Sequence, residues 1–321
     1  MASPQNAQEL ARLAAELQEH DERYYRHSAP TISDAEYDAL RARYEMLADA
    51  EGLALEERYG QSPGDDRVEG FRRVTHRVPM LSLEKAATWP EALIGGLDPK
   101  PEDIPRENIK AYALGQLEQW QRRTAKAIDL PEESQLLLTV EPKIDGISVS
   151  LLYEDGRLSQ AVTRGNGVQG DDITAQVRAA QAAPETVSAT GRFEVRGELY
   201  LPRAAFEAQN ARLIAAGDAP MVNPRNGCSG LMKRKDFSTL SGVGVKSFLY
   251  HIAWSEGCSL PKSQWERMTW LRERGFQVHE GIKRVEGVLA AYRHCLAMTP
   301  LRSQLDHDID GMVLKLSLIH I

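Results

Sequence analysis

The chain lacks a positive charge excess, a long apolar run and any useful density of cysteine, and each absence removes a class of protein. A net charge of −7 over 321 residues argues against a strongly basic nucleic-acid clamp. A polynucleotide partner would need a local basic groove or further domains. Cys228, Cys258 and Cys295 are odd in number and far apart, so they offer neither a disulfide framework nor a paired zinc spacing. None of the eight histidines forms a legible triad or metal pair with neighbouring acids. No apolar run approaches membrane-spanning length. The first thirty residues read as polar and helical, without the apolar core of a signal peptide, so a reducing cytoplasm is the expectation. Repeats and low-complexity tracts are absent. What remains, 42% hydrophobic and 26% charged residues, is an ordinary globular composition with material for two domains.

The first 60 or so residues read as helices. Ser3-Pro4 suits an N-cap and first turn, followed by Leu10, Leu13 and Leu17 on one face. Ser33 with Glu36 three residues on makes a capping box, and Tyr37, Leu40, Tyr44 and Leu47 recur at helical spacing. Residues 60–70 are rich in Gly, Asp and Pro and read as a linker. Beyond it the pattern predicts strands at Leu136–Val140, Ile147–Tyr153, Leu158–Thr163, Phe193–Leu201, Val245–Trp254 and Met312–Leu316, and a helix from Ala111 to Ile128. Glu154-Asp155-Gly156-Arg157 is a hairpin signal.

Lys143, in Glu141-Pro142-Lys143-Ile144-Asp145-Gly146, follows the first of these strands. A lysine there is costly to desolvate without a role or partner. Burial can lower the pKa of such an amine and make it a nucleophile. The alternative is a strand-end lysine reaching water beside Asp145.

Gly165-Asn166-Gly167-Val168-Gln169-Gly170 fits the dinucleotide-binding GxGxxG, but the expected next helix opens with Asp171-Asp172, which would repel a pyrophosphate. The acids read instead as dipole-matching cap residues, and the glycines as a turn that aims Arg164. Asp34, Tyr37 and Asp38 share one side of the second helix. They are either ordinary helix residues or, with Tyr24 and Tyr25, a small site for a flat cation. Glu198, in an interior strand, is either paired with Arg196 or Arg225 or is a ligand acid. Asp308-Ile309-Asp310-Gly311 before a strand carrying Lys315 is either a solvated turn with an edge lysine or part of a site.

Taken together these segments resemble the bacterial NAD-dependent DNA ligases. The order is Tyr24-Tyr25, Pro30, Ser33 to Asp38, then His76-Arg77-Val78-Pro79-Met80-Leu81-Ser82-Leu83, then Glu141 to Gly146 and Thr163 to Gly167. Glu194 to Glu198, Asn223-Pro224-Arg225-Asn226 and Asp308 to Gly311 complete it. KxDG alone is shared with ATP-dependent ligases and capping enzymes; the N-terminal motif, PMLSL and NPRN are more specific. The resemblance implies an α+β nucleotidyltransferase domain of the ATP-grasp-like, covalent-lysine type with mixed or antiparallel sheets (residues 73–321), preceded by a small all-α domain (residues 1–72). It implies that Lys143 attacks the α-phosphate of NAD, expelling nicotinamide mononucleotide (NMN) and leaving lysyl-AMP. That AMP would pass to the 5′-phosphate of nicked DNA in a full-length enzyme of replication and repair. Catalytic roles fall on Lys143, Asp145 and Lys315. Ser82, Leu83, Glu141, Arg164, Glu198 and Lys315 would line the AMP site. Arg225 and Lys315 would offset phosphate charge, with Asp310 and Arg302 nearby in the pattern and Mg²⁺ in support. Tyr24, Tyr25, Asp34, Tyr37 and Asp38 would hold NMN.

Asn166 stands where the family usually has Asp, Gly227-Cys228-Ser229 replaces an alanine run, and Lys233 stands where the family has Arg. The chain stops soon after Lys315, before the family's next lysine motif and its OB-fold, zinc, helix-hairpin-helix and BRCT portions. The expectation is therefore self-adenylation at most, with weak or no DNA binding, no membrane contact and a monomeric state. The rivals are a decayed NAD-binding module or paralogue, and an ATP-dependent ligase or capping-type transferase.

Overall fold

A computed structural model describes residues 4–23, 31–32, 34–53, 58–59, 67–84 and 106–317. The chain forms two compact units. The first takes in the described residues of Met1–Lys85 together with Arg164–Asp171, and the second takes in Glu107–Thr163 and the described residues from Asp172 onward. The sequence boundary expected at residue 72 thus falls inside the first unit, which also recruits a segment from much later in the chain.

In the first unit, α1 (Pro4–Asp21) and α2 (Asp34–Ala50) pack through the stripes read from the sequence. Leu10, Leu13 and Leu17 are buried against Tyr44 and Ala48, with Tyr37, Leu40 and Leu47 packed around them. A short ribbon pairs β1 (Arg73–Thr75) with a later strand, Gln169–Asp171, antiparallel. Neither strand is legible in the sequence, because three residues are too few for a period to declare itself. Asp171 is not in a helix: it is a buried strand residue that accepts from Val68 N at 2.7 Å and pairs with Arg73.

The second unit holds α3 (Arg106–Ala127) from Glu107 onward, followed by β2 (Leu137–Ile144), β3 (Ile147–Glu154) and β4 (Arg157–Thr163). The Gln169–Asp171 strand of the first unit is β5, after which come α4 (Thr174–Ala180) and β6 (Arg192–Tyr200). Helix α4 begins three residues later than the acids suggested. Asp172, just before it, accepts from Thr174 N at 3.0 Å and from Thr174 Oγ1 at 2.5 Å. The remaining elements are α5 (Arg203–Ala216), α6 (Pro224–Met232), β7 (Lys246–Glu256), α7 (Gln264–Glu273), β8 (Lys283–Glu286), α8 (Gly287–Met298) and β9 (Ile309–Leu316).

Every strand pairing among the described residues is antiparallel. One sheet runs β4-β3-β6-β7 and another runs β8-β2-β9. The β3–β4 hairpin turns at Asp155 and Gly156, both at positive φ (47° and 77°), as the Asp-Gly signal requires. Strand alternation then decides which side chains meet. On β2, Leu138 and Val140 face Ala125 of α3 and Val288 and Ala291 of α8. Glu141 and Lys143, offset by one residue from that set, share the opposite face with Thr139. On β6, Phe193, Val195 and Leu199 are fully buried, while Glu194, Arg196 and Glu198 alternate with them. Phe193 stacks on Tyr153 at 5.5 Å between ring centres, with Trp270 and Phe276 edge-on.

Below the start of β9 lies a buried imidazole pair. His279 Nε2 and His307 Nε2 are 3.0 Å apart, Gly281 N donates to His279 Nδ1 at 2.8 Å, and His307 Nδ1 meets Asp306 at 2.6 Å. Because a backbone N–H occupies His279 Nδ1, His279 must carry its proton on Nε2 and donate to His307. Burial and His307 push the His279 pKa down to about 4.

Candidate active site

The β2–β9 register builds one end of the site. Lys143 lies opposite Gly311, Glu141 opposite Val313 and Thr139 opposite Lys315. Lys315 is therefore the diagonal neighbour of Glu141, within reach of a long side chain. Gly311 offers Lys143 no side chain across the ladder, and Lys143 Nζ instead meets the carboxylate of Asp310, next to a register shift between Lys143 and Ile144. The Lys143 side chain is 43% exposed and that of Asp310 is 34% exposed. This corrects the burial argument for Lys143: the side chain is half-exposed, because β2 ends at the surface.

Asp145 follows β2. Its backbone N donates to Asp308 O at 2.9 Å, and its carboxylate accepts from Arg225 Nη1 at 3.1 Å. Burial raises the Asp145 pKa above its ordinary value, Arg225 draws it back, and the nearby charge of Asp310 raises it again. Arg225 reaches it from the first turn of α6, where the Asn223 side chain caps Asn226 N at 2.8 Å and Pro224 occupies the opening position. In NPRN, then, the asparagine and proline start the helix and the arginine carries the charge to Asp145. Gly146 is required by packing: a Cβ there would lie 2.3 Å from Leu199 O, because β3 begins its pairing with β6 at the next residue.

Glu198 stands opposite Ser148 in the β3–β6 register. It accepts from Ser148 Oγ at 2.8 Å and from Tyr250 OH at 3.0 Å. Burial raises its pKa, while Ser148, the charge of Arg225 and Tyr250 lower it. The pairing with Arg196 does not form, since Arg196 bonds Glu194 at 2.6 Å in a buried couple that also holds Trp254 Nε1.

At the other end, Glu141 is buried, with a partner on each oxygen. Lys315 Nζ sits 2.6 Å from Glu141 Oε2, and Gln264 Nε2 donates to Oε1 at 2.9 Å. Lys315 also donates to Tyr250 O at 3.0 Å and lies 4.6 Å from the centre of the Tyr250 ring. Tyr250 thus links Lys315 to Glu198. It escaped the sequence reading because nothing in the local pattern separates it from an ordinary strand tyrosine.

Other expected residues have settings of their own. Arg302 is exposed on a 3-10 turn, Thr299–Gln304, and among the described residues no hydrogen bond or ion pair ties it to Lys143. In the first unit, Ser82 and Leu83 are exposed, and the Arg164 carbonyl accepts from Gly167 N at 3.0 Å and meets His76 Nε2 at 3.1 Å. Asn166 Oδ1 accepts from Val168 N at 3.1 Å and Gln169 N at 2.9 Å, acceptor work that an aspartate would do equally well. Tyr37 OH donates to Asp21 at 2.7 Å, and Tyr59 OH donates to the other Asp21 oxygen at 2.5 Å. Tyr24 and Tyr25 lie outside the described residues, as do the side chains of Asp34 and Asp38. Among the described residues, no three His, Cys, Asp or Glu side chains converge as metal ligands. The three cysteines are free thiols.

Residues 108–321 match the family model of the NAD-dependent DNA ligase adenylation domain, and residues 3–60 match that of the DNA ligase-like, N-terminal NAD+-binding domain. Among curated proteins, a DNA ligase of Xanthobacter autotrophicus is 36% identical over 319 residues, covering 97% of this chain and 40% of that protein. A DNA ligase of Mesorhizobium japonicum is 37% identical over 313 residues, covering 96% of this chain and 39% of that protein. The chain therefore spans about 40% of the length of these relatives.

Proposed function

Because the chain belongs to the NAD-dependent DNA ligase family, we propose that it carries out the enzyme's opening step, transfer of AMP from NAD to Lys143. The single observation that carries this reading is Lys143 at the open end of β2, in contact with Asp310 and two residues from Asp145 of the Asp145–Arg225 pair. The Lys143 amine attacks the AMP phosphorus of NAD, the phosphoanhydride bond breaks, and NMN leaves with the bonding electrons. Before that, Nζ must lose a proton, and the Asp310 carboxylate in contact with it is the acceptor we assign. Asp145 orients Arg225, whose guanidinium, with Lys315, offsets charge on the phosphate. Glu198, Glu141, Ser82, Leu83 and Arg164 make up the rest of the AMP site. Tyr24, Tyr25, Asp34, Tyr37 and Asp38 hold NMN, where acids and aromatics suit a cationic ring.

Mg²⁺ belongs to this reading as the counter-ion that a pyrophosphate brings with it. Delivery of the AMP to nicked DNA is assigned to a longer protein, acting as a monomer in the cytoplasm. No helix among the described residues is long and apolar enough to cross a membrane. The alternatives, a decayed binding module or an ATP user, draw no support from the family matches.

Intact mass after incubation with NAD and Mg²⁺ tests the reading. One added AMP that excess NMN removes, and that Lys143→Ala never acquires, is the expected outcome. An adduct formed from ATP but not from NAD, or one that survives Lys143→Ala, overturns it.

A further inference from the structure

We infer that Gln264 is a positioning residue for the adenylation site, acting through Glu141 and Tyr250 rather than on the nucleotide. The inference rests on the proposed function above and adds a residue to which the site motifs give no role.

Gln264 is 2% exposed and opens α7, where Ser263 caps the helix in a complete capping box. That cap fixes the helix start, so the direction of the Gln264 side chain is set by main chain rather than by a free rotor. Three strands converge on this one residue. Its backbone N donates to Ser317 O at 2.7 Å, just past β9. Its Nε2 donates to Glu141 Oε1 on β2 at 2.9 Å and to Tyr250 O on β7 at 2.7 Å. The strands belong to different sheets, β8-β2-β9 and β4-β3-β6-β7, and Gln264 joins them at the site itself.

Register explains why a carbonyl is available there. In the β6–β7 pairing, Arg196 stands opposite His251 and Gly197 opposite Leu249, so Tyr250 is the extra residue of a bulge. A bulged residue is turned relative to the ladder. Here the bulge sends the Tyr250 carbonyl toward Gln264 and Lys315, and its hydroxyl toward Glu198.

Lys315 Nζ and Gln264 Nε2 therefore donate to the same two groups, the Glu141 carboxylate and the Tyr250 carbonyl. The charges make this division necessary. Lys315 supplies one positive charge to one carboxylate, and a second cation at position 264 would leave a buried excess. A neutral amide supplies two donors with no charge and no acceptor turned toward the carboxylate. With Gln264 in place, Glu141 cannot rotate to take Lys315 through both oxygens. The ammonium stays between Glu141 and the Tyr250 carbonyl, above the ring. Loss of Gln264 frees that rotation and draws Lys315 toward Glu141, away from the place where phosphate charge is to be met.

Two substitutions in the full chain test this, with NAD-dependent AMP addition followed by intact mass in single turnover. Gln264→Leu keeps volume and removes both donors, and its apparent KM for NAD should rise roughly tenfold while the wild-type adduct still forms at saturating NAD. Gln264→Glu is nearly isosteric but sets a carboxylate against Glu141 and the Tyr250 carbonyl. It can donate only when protonated, and its like-charged neighbour holds the proton on. Its rate relative to wild type should therefore recover as pH falls from 8 to 6, a trend that loss of structure does not produce.

An unchanged KM for Gln264→Leu together with a flat Gln264→Glu ratio across that range overturns the inference, even if both variants melt at lower temperature. Should Gln264→Leu fail to fold, the pH trend of Gln264→Glu decides alone. If the wild-type chain itself acquires no AMP, the adenylation reading fails and this inference fails with it; a wild-type adduct with unaffected variants removes the inference only.

Discussion

Two lysines stand on the same pair of strands, β2 and β9, and the structure treats them in opposite ways. Lys143 and its partner Asp310 are 43% and 34% exposed, one contact deep, at an end where the strand meets solvent. Lys315 is 22% exposed against a Glu141 that is 4% exposed, and that carboxylate has both oxygens occupied. The difference shows which end can exchange partners readily and which cannot. An exposed ion pair contributes little to stability and is easily exchanged for a substrate phosphate. A buried carboxylate with a partner on each oxygen is costly to disturb, so it holds its surroundings still.

The sharpest way to break the contrast is to remove one carboxylate from each end. Glu141→Ala leaves Lys315 without its main partner in a largely buried setting and should cost about 3 kcal/mol of unfolding free energy. Urea denaturation with the slope held in view measures it, and a loss no larger than that of the Asp310 variant would contradict the comparison. A backbone test comes next. Gly146→Ala forces a methyl group onto Leu199 O, which lies on a paired strand and cannot move freely, so we expect a loss of roughly 1–3 kcal/mol. The same denaturation series reads it, with Gly311→Ala as the comparison, since nothing lies within 4 Å of a Cβ there.

The imidazole pair beneath β9 gives the comparison a pH axis. The folded pKa of His279, about 4, is below its ordinary 6.5, so below pH 6.5 the unfolded chain takes up a proton that the folded chain refuses. The stability this group contributes is complete above pH 6.5 and is lost as pH falls toward 4. The loss should reach roughly 3 kcal/mol. Burial also lowers His251, to about 3, which extends the same trend to lower pH. Thermal melts from pH 7.5 to 4.5 should show a slope that His279→Asn reduces, and an equal slope in that variant would exclude the pair as its source. The smallest stability effect belongs to the open end: Asp310→Asn should change unfolding free energy by less than about 1 kcal/mol. The same substitution should slow AMP addition by roughly tenfold or more, if Asp310 takes the Lys143 proton. A variant that adenylates at the wild-type rate would leave that proton to solvent.

The six longer strands are legible in the sequence as runs rich in apolar and β-branched residues, and the Asp155-Gly156 turn is legible because it needs positive φ. The sequence pattern misplaced Asp171, reading as a helix cap what is the end of a three-residue strand. Lys143, Glu198, Asp310 and Lys315 stand out by type and position, and Glu141, Asp145 and Arg225 enter through the family motifs. Their partners do not. Whether Glu198 meets an arginine or two hydroxyls depends on Ser148 and Tyr250, which lie 50 and 52 residues away. Gln264 is 123 residues from the glutamate it holds.

What the sequence determined by itself is the chemistry on offer: an amine at a strand end, acids and arginines in motifs that name the family, and the strands that carry them. Local pattern suffices for this, because side-chain type and period are local properties. The tertiary structure alone decided that one lysine stays open while the other is locked. Register across β2–β9, the bulge at Tyr250 and the arrival of α7 set that outcome, and each depends on segments far apart in the chain meeting at a single carboxylate.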